Sequence, residues 1–313
     1  MRLFEKLYTL FIFLSVITGL VIGQIRGMET FGDKLILPLL IIMLYLTFLQ
    51  IPLKDIKKSF LNRKFTFANI GINFVLTPLL ASLIAVIFLA DHPALWLGFI
   101  MLMVTPCTDW YIIFTDLAKG NVALATSILP LNLILQLLLF PLYLYIFSGT
   151  VGVVNFQLVI ESILLVLIIP FVLAFITKHY LLKNKNSHFI EKVSSLPIIF
   201  LCLAIVAMFA SQGSLLLSNS DLLIKLILPI LAFFLITFII GRIVGRGLQF
   251  SRANTASLNL TTLARNSPIA LAIAMTAFPY EPLIALVLII GPLIELPLLA
   301  FISYLIVFLD KSK

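Results

Sequence analysis

Three short stretches of this sequence carry reactive or charged groups where the surrounding chain is almost wholly apolar. The first, 103-MVTPCTDWYIIF-114, lies in an apolar run from Ala94 to Leu117 and sets Pro106, Cys107 and Asp109 close together. The second, 264-ARNSP-268, places Arg265, Asn266 and Ser267 beside Pro268, and the third, 291-GPLIELP-297, holds Glu295 between two prolines. A thiol is a soft ligand suited to thiophilic substrates. A carboxyl group at membrane depth exchanges protons or answers a cation, and costs about 2.5–3.5 kcal/mol to insert. Each group also has a plainer reading. Cys107 serves equally as a small hydrophobe. Asp109 and Arg265 serve equally as an ion pair that locks two helices. Glu295 serves equally as an acceptor for backbone N–H groups that its neighbouring prolines set loose. Thr105, Thr108, Asn132, Gln136, Asn259, Thr261, Thr262, Asn266 and Ser267 add hydrogen-bonding groups around the same stretches. Singly, such residues tie helices together; here they concentrate in three segments.

The elements that position these groups follow from composition. Hydrophobic residues make up 62% of the chain, charged residues 11%, and the mean hydropathy is +1.20. A soluble domain carries about 25% charged residues, so the chain is an integral membrane protein. Apolar runs near bilayer length predict ten spans, at 7–25, 34–53, 66–90, 94–118, 121–147, 153–177, 194–217, 222–245, 253–279 and 281–309. The basic loop 53-LKDIKKSFLNRK-64 is assigned to the cytoplasm by the positive-inside rule. Alternation from that loop puts both termini inside and leaves only Arg26, Lys34, Lys225 and Arg265 of the 21 basic residues off the cytoplasmic side. The net charge of +8 is thus explained by topology, and no nucleic-acid-binding face is expected. Cys107 and Cys202 both lie in apolar segments, and the three histidines fall in or beside loops. Neither a disulfide framework nor a metal site nor a cofactor is expected.

The uncharged turn 148-SGTVGV-153 separates residues 1–150, with five spans, from 151–313, with five more. An odd number of spans per half inverts the second half, an arrangement that recurs in secondary transporters with the site where interrupted helices meet. Pro106 and Pro268 occupy matching places in the fourth span of each half, the fourth and ninth of the chain. Both are expected to break their helices, whereas Pro38, Pro78, Pro130, Pro141, Pro170, Pro197 and Pro229 are expected only to bend theirs.

At these residues the chain resembles the bile acid/sodium symporter superfamily, and within it the arsenite permease branch. The segment 115-TDLAKGNVALA-125 is similar to the family's turn between its fourth and fifth helices. Cys107 falls where the arsenite permeases carry their functional cysteine. Asn132 and Gln136 match their N-x-x-x-Q, and 291-GPLIELP-297 resembles their GPLVEVP. The resemblance implies ten transmembrane helices in two inverted five-helix repeats. A core domain (helices 3–5 and 8–10) would hold the crossing broken helices 4 and 9, and a panel domain (helices 1, 2, 6 and 7) would move against it. There are departures. Where sodium symporters have Ser-Asn in helix four this chain has Tyr111-Ile112, and their helix-nine glutamate and glutamine become Thr261 and Arg265. A guanidinium repels sodium, so sodium coupling is not expected, and Arg265 is placed in the role of the ion. The glutamate of the arsenite permeases' N-N-F-E-L-A is Ala270 here, and Asp109 is the candidate to titrate instead.

The expected function is secondary active efflux of arsenite or a similar metalloid oxyacid, coupled to protons by alternating access, in a bacterial or archaeal plasma membrane. Cys107, Thr108, Asn132, Gln136, Asn266 and Ser267 would bind substrate. Asp109, Arg265 and Glu295 would couple protons or form ion pairs. The alternative is a symporter-like transporter of a small organic anion, with Arg265 clamping its carboxylate. A homo-oligomer is left open. An intramembrane enzyme is not expected: Asp109 has no second aspartate beside it, and no histidine lies at depth to activate Cys107.

Overall fold

The structure is a computed structural model that describes residues 8–51, 56–108, 110–148, 156–183, 189, 192–218 and 220–311. Among these residues every regular element is helical. Seven helices are long and apolar enough to cross a membrane: Met28–Gln50, Lys57–Leu89, Val122–Phe147, Gln157–Lys183, Leu196–Gly213, Ile224–Gly247 and Pro282–Asp310. Three shorter apolar helices, Leu10–Ile22, Pro93–Met103 and Ser267–Ala277, lie in the remaining expected spans. The chain is an all-helical integral membrane protein.

In chain order the elements are α1 (Tyr8–Ile22), α2 (Met28–Gln50), α3 (Arg63–Gly71), a π-helical turn (Ile72–Leu76) and α4 (Thr77–Leu89). There follow α5 (Pro93–Met103), α6 (Trp110–Leu117), α7 (Val122–Ser148), α8 (Phe156–Ile163), a second π turn (Leu164–Ile168) and α9 (Ile169–Lys183). The last are α10 (Leu196–Ser218), α11 (Ser220–Gly247), α12 (Arg252–Leu263), α13 (Ser267–Ala277) and α14 (Pro282–Lys311). Pro38, Pro130, Pro141 and Pro229 sit inside helices that continue past them. Pro197 stands second in α10, where a missing N–H costs little, whereas Pro78 and Pro170 each follow a π turn inside the continuous helices Lys57–Leu89 and Gln157–Lys183.

The chain divides into two compact units. One holds the described residues of Met1–Ile51, Asn155–Leu223 and Pro268–Ile289. In it α10 packs along α1 and α2, and α9 packs on α2. Small residues set these distances. A Cβ on Gly19 would fall 2.7 Å from the Val206 carbonyl oxygen, and one on Gly32 2.5 Å from that of Ala207. Such close backbone approach is how helices associate where lipid supplies no hydrophobic drive. Phe48 meets Phe171 edge to face at 5.7 Å, and the Tyr45 hydroxyl donates to Thr177 Oγ1 at 3.0 Å.

The other unit holds the described residues of Pro52–Val154, Ile224–Ser267 and Ile290–Lys313. Asn62 caps α3 by accepting the Phe65 N–H, and Ser251 caps α12 by accepting that of Asn254. Between α6 and α7 the chain reverses through Lys119, whose φ of 54° is left-handed, while the Gly120 N–H bonds back to Thr115 O at 2.8 Å. A Cβ on Gly120 would meet Thr115 Cγ2 at 2.7 Å, which accounts for glycine at this turn. Asn121 then caps α7 through the Leu124 N–H and donates to Asn254 Oδ1 of α12. Gly241 and Gly245 let α11 approach Asn259 and Thr255 of α12. Phe65, Ile72, Ile128, Leu131 and Leu258 form an apolar cluster among α3, α7 and α12.

Candidate functional site

α5 ends at Met103, residues 104–108 are not helical, and α6 covers Trp110–Leu117; α12 stops at Leu263 and α13 begins at Ser267. The two interruptions meet. Pro106 and Arg265 face each other in an isolated antiparallel bridge, with the Cys107 N–H donating to Ala264 O at 2.9 Å and the Asn266 N–H to Thr105 O at 2.7 Å. Backbone leaving a helix at membrane depth must find partners in protein, and here each break satisfies part of the other. Pro106 stands inside its break. Pro268 stands second in α13, so the second break falls just before it, at Ala264–Asn266.

Arg265 is 2% exposed, and its guanidinium binds main-chain oxygen. Nε donates to Leu263 O at 3.0 Å, Nη1 to Met103 O at 2.8 Å, and Nη2 to Thr262 O and, at 3.5 Å, to Asn73 Oδ1. The carbonyls of a helix's last turn lack intrahelical partners and carry the negative end of its dipole. The guanidinium therefore neutralises the C-terminal ends of α5 and α12 together. Its carbon stands 5.1 Å from the centroid of the Phe233 ring. Glu295 and Cys107 are its electrostatic neighbours. Glu295, 1% exposed, accepts the Arg265 backbone N–H at 2.7 Å. This bond ties α14 to the break between α12 and α13.

Cys107 is a buried thiol at the crossing, and Thr108 Oγ1 accepts from Asn266 Nδ2 at 3.2 Å. Thr105, Thr108, Asn259, Thr261, Thr262, Asn266 and Ser267 are all buried, whereas Asp116 and Glu161 are exposed, as their places near span ends require. Asp109 lies outside the described residues. Asn132 and Gln136, one turn apart on α7, are 0% and 1% exposed, and neither amide oxygen nor amide nitrogen of either has a hydrogen-bond partner in the protein. Among the buried residues described, these are the carboxamides in which both atoms lack a partner. A buried polar atom left unmatched costs about 1–3 kcal/mol, and four such atoms share one face of α7.

Residues outside the sequence-based candidates complete the surroundings. Asn69 Nδ2 donates to Thr261 Oγ1 at 2.9 Å, and Asn73 Nδ2 to Thr261 O at 3.1 Å. Thr66, Asn69, Asn73 and Thr77 are all fully buried and form one stripe along α3, the π turn and α4. Their spacing of three, four and four residues in an otherwise apolar span is a helical signal that was present in the sequence. The π turn widens the helix at Asn73, where the Thr77 N–H reaches back to Ile72 O, and Tyr143 of α7 donates to the Phe74 carbonyl at 2.6 Å.

Interrupted helices paired across a buried crossing, within an all-helical membrane protein, define the class of secondary transporters with broken helices. Residues 37–219 match the model of the Sodium Bile acid symporter family, and the chain belongs to that family of transporters. It is similar to the arsenical-resistance protein Acr3 of Corynebacterium glutamicum, 24% identical over 98% of this chain and 90% of the relative. It is also similar to the Acr3 of Alkaliphilus metalliredigens, 24% identical over 95% of this chain and 90% of that protein. An uncharacterized transporter of Synechocystis sp., slr0944, is 22% identical over 96% of this chain and 87% of its own.

Proposed function

We propose that this transporter exports arsenite, or a closely similar metalloid oxyacid, in exchange for protons. The observation that carries the proposal is the partnerless pair Asn132 and Gln136, buried in the same compact unit as the Cys107 thiol and the crossing. The names of the two Acr3 relatives point the same way. Cys107 supplies a soft contact to the metalloid. Thr108, Asn132, Gln136, Asn266 and Ser267 bind its hydroxyl groups, and Pro106 and Pro268 keep the helices broken around it. Asp109 exchanges the proton, with Arg265 as its partner and Glu295 as the second acid of the site. The helices form two inverted repeats, 1–150 and 151–313, of five spans each, with both termini cytoplasmic. A core and a panel domain moving against each other provide alternating access.

Two features count against other couplings. Four oxygen atoms around Arg265 are taken up by its guanidinium, which would repel a sodium ion placed among them. The same bonds occupy the donors that a carboxylate clamp would need, so no observation favours an organic anion as substrate. Cells expressing the native chain should accumulate less arsenite than cells without it. Cys107→Ser and Asp109→Asn should each return accumulation to the control level. Export that survives both substitutions would remove this mechanism.

A further inference from the structure

We propose that the segment 57–64 is a docking surface for the headgroup of an anionic phospholipid, whatever the cargo of the transporter. Its shape is fixed from within its own compact unit. The one-turn helix Ile56–Ser59 packs on α7, the buried Ser59 hydroxyl donates to Ser127 O, and the Thr66 hydroxyl donates to Ser59 O. The Phe60 and Leu61 N–H groups close a turn onto Lys57 O and Lys58 O at 3.2 and 3.1 Å, and Asn62 caps α3 behind it. With Ser59, Phe65 and Thr66 held inside, Lys57, Lys58, Phe60, Leu61, Arg63 and Lys64 are left outside.

Charge and apolar exposure together say what covers this surface. Residues 56–89 hold four cations, all of them in this segment, and no acidic residue; Lys54 and Asp55, whose charges cancel, lie outside the described residues. Arg63 and Lys64 open α3, at the end where the helix dipole is already positive and an anion is favoured. Between these cations Leu61 is 84% exposed, and Phe60 is exposed beside it. Both stand in a turn and not on the side of a spanning helix. The segment lies at the start of the apolar helix Lys57–Leu89, which is long enough to cross a membrane, so it falls at the boundary between water and hydrocarbon. At that boundary lysine and arginine meet headgroup phosphate while leucine and phenylalanine enter the acyl region. A soluble phosphate would answer the cations and leave Leu61 in water. A phospholipid serves both.

The test is native mass spectrometry of the purified full-length protein, released from neutral detergent after equilibration with equimolar phosphatidylglycerol and phosphatidylcholine of matched acyl chains. The native chain is expected to retain phosphatidylglycerol in preference. Arg63→Gln with Lys64→Gln should lower that retention at least about tenfold, as loss of two interfacial cations implies, and leave phosphatidylcholine unchanged. The unfolding midpoint of this variant in lipid-free detergent should be no lower than that of the native chain, because two like charges leave the positive end of α3. Leu61→Asn, which keeps every cation, should also lower phosphatidylglycerol retention. Arg26→Gln with Lys34→Gln removes the same charge elsewhere and should not. Equal retention of the two lipids by the native chain, or equal loss in both charge variants, would overturn the inference. Earlier unfolding of the Arg63 and Lys64 variant would make these cations structural and overturn it too. Full displacement of phosphatidylglycerol by an equal concentration of glycerol phosphate, with Leu61→Asn unchanged, would reduce the surface to a phosphate contact and overturn it as well.

Discussion

Replacing Asn132 by leucine and Gln136 by methionine in one chain is expected to abolish arsenite export while leaving the protein folded, and as stable as before or more so. The asymmetry follows from partners. A buried polar group that holds the fold together is bonded to something, and its removal strands that something at about 1–3 kcal/mol. None of the four amide atoms of this pair bonds to protein, so the substitution strands nothing. Apolar side chains of similar volume should fill the same space and recover some desolvation cost. Transport should suffer in the opposite sense. Loss of two carboxamides that each make two bonds to cargo is expected to reduce the export rate by at least about 100-fold, at roughly 1.4 kcal/mol for each factor of ten. Thermal unfolding in detergent and arsenite export from cells, measured on the same variant, check the two halves. A variant that unfolds earlier and exports normally would show the pair to be structural.

Arg265→Gln is expected to do the reverse and weaken the fold itself. Its guanidinium satisfies three carbonyls at the ends of α5 and α12 and the side-chain oxygen of Asn73. Glutamine has one amide to offer in place of a five-donor fork, so most of these buried acceptors lose their partner. The expected destabilisation is on the order of 4 kcal/mol, as several unmatched acceptors at 1–3 kcal/mol each imply. Arg265→Lys should fall between the two, since an ammonium keeps the charge but not the planar fork. The measurement is the unfolding midpoint in detergent for the three proteins. Equal midpoints would mean that the crossing does not depend on this side chain.

Much of the fold was legible because the bilayer restricts it. Helices satisfy their own backbone, so hydropathy locates apolar spans directly. Pro106 and the ARNSP stretch marked both interruptions, because a missing backbone donor and a charge in one apolar run are hard to reconcile with an unbroken helix. The way the breaks are held together was not legible. Arg265 suggested Asp109 as its partner, a residue outside those described; its bonds to the carbonyls of Met103, Thr262 and Leu263 were not foreseeable, because main-chain oxygen leaves no trace in residue identity. Asn69 and Asn73 escaped for a different reason. They sit in a span without a charged anomaly, and only their helical spacing with Thr66 and Thr77 betrays a polar stripe. Conversely, Asn132 and Gln136 were evident as residue types, but that both lack protein partners could be seen only in three dimensions.

The central claim is tested most directly by arsenite uptake into everted membrane vesicles carrying the native chain, with an acidic lumen and no sodium on either side. Efflux in exchange for protons predicts uptake driven by the pH gradient, well above vesicles without the protein and abolished when the gradient is collapsed. Uptake that requires a sodium gradient, or none above the control, would contradict the account.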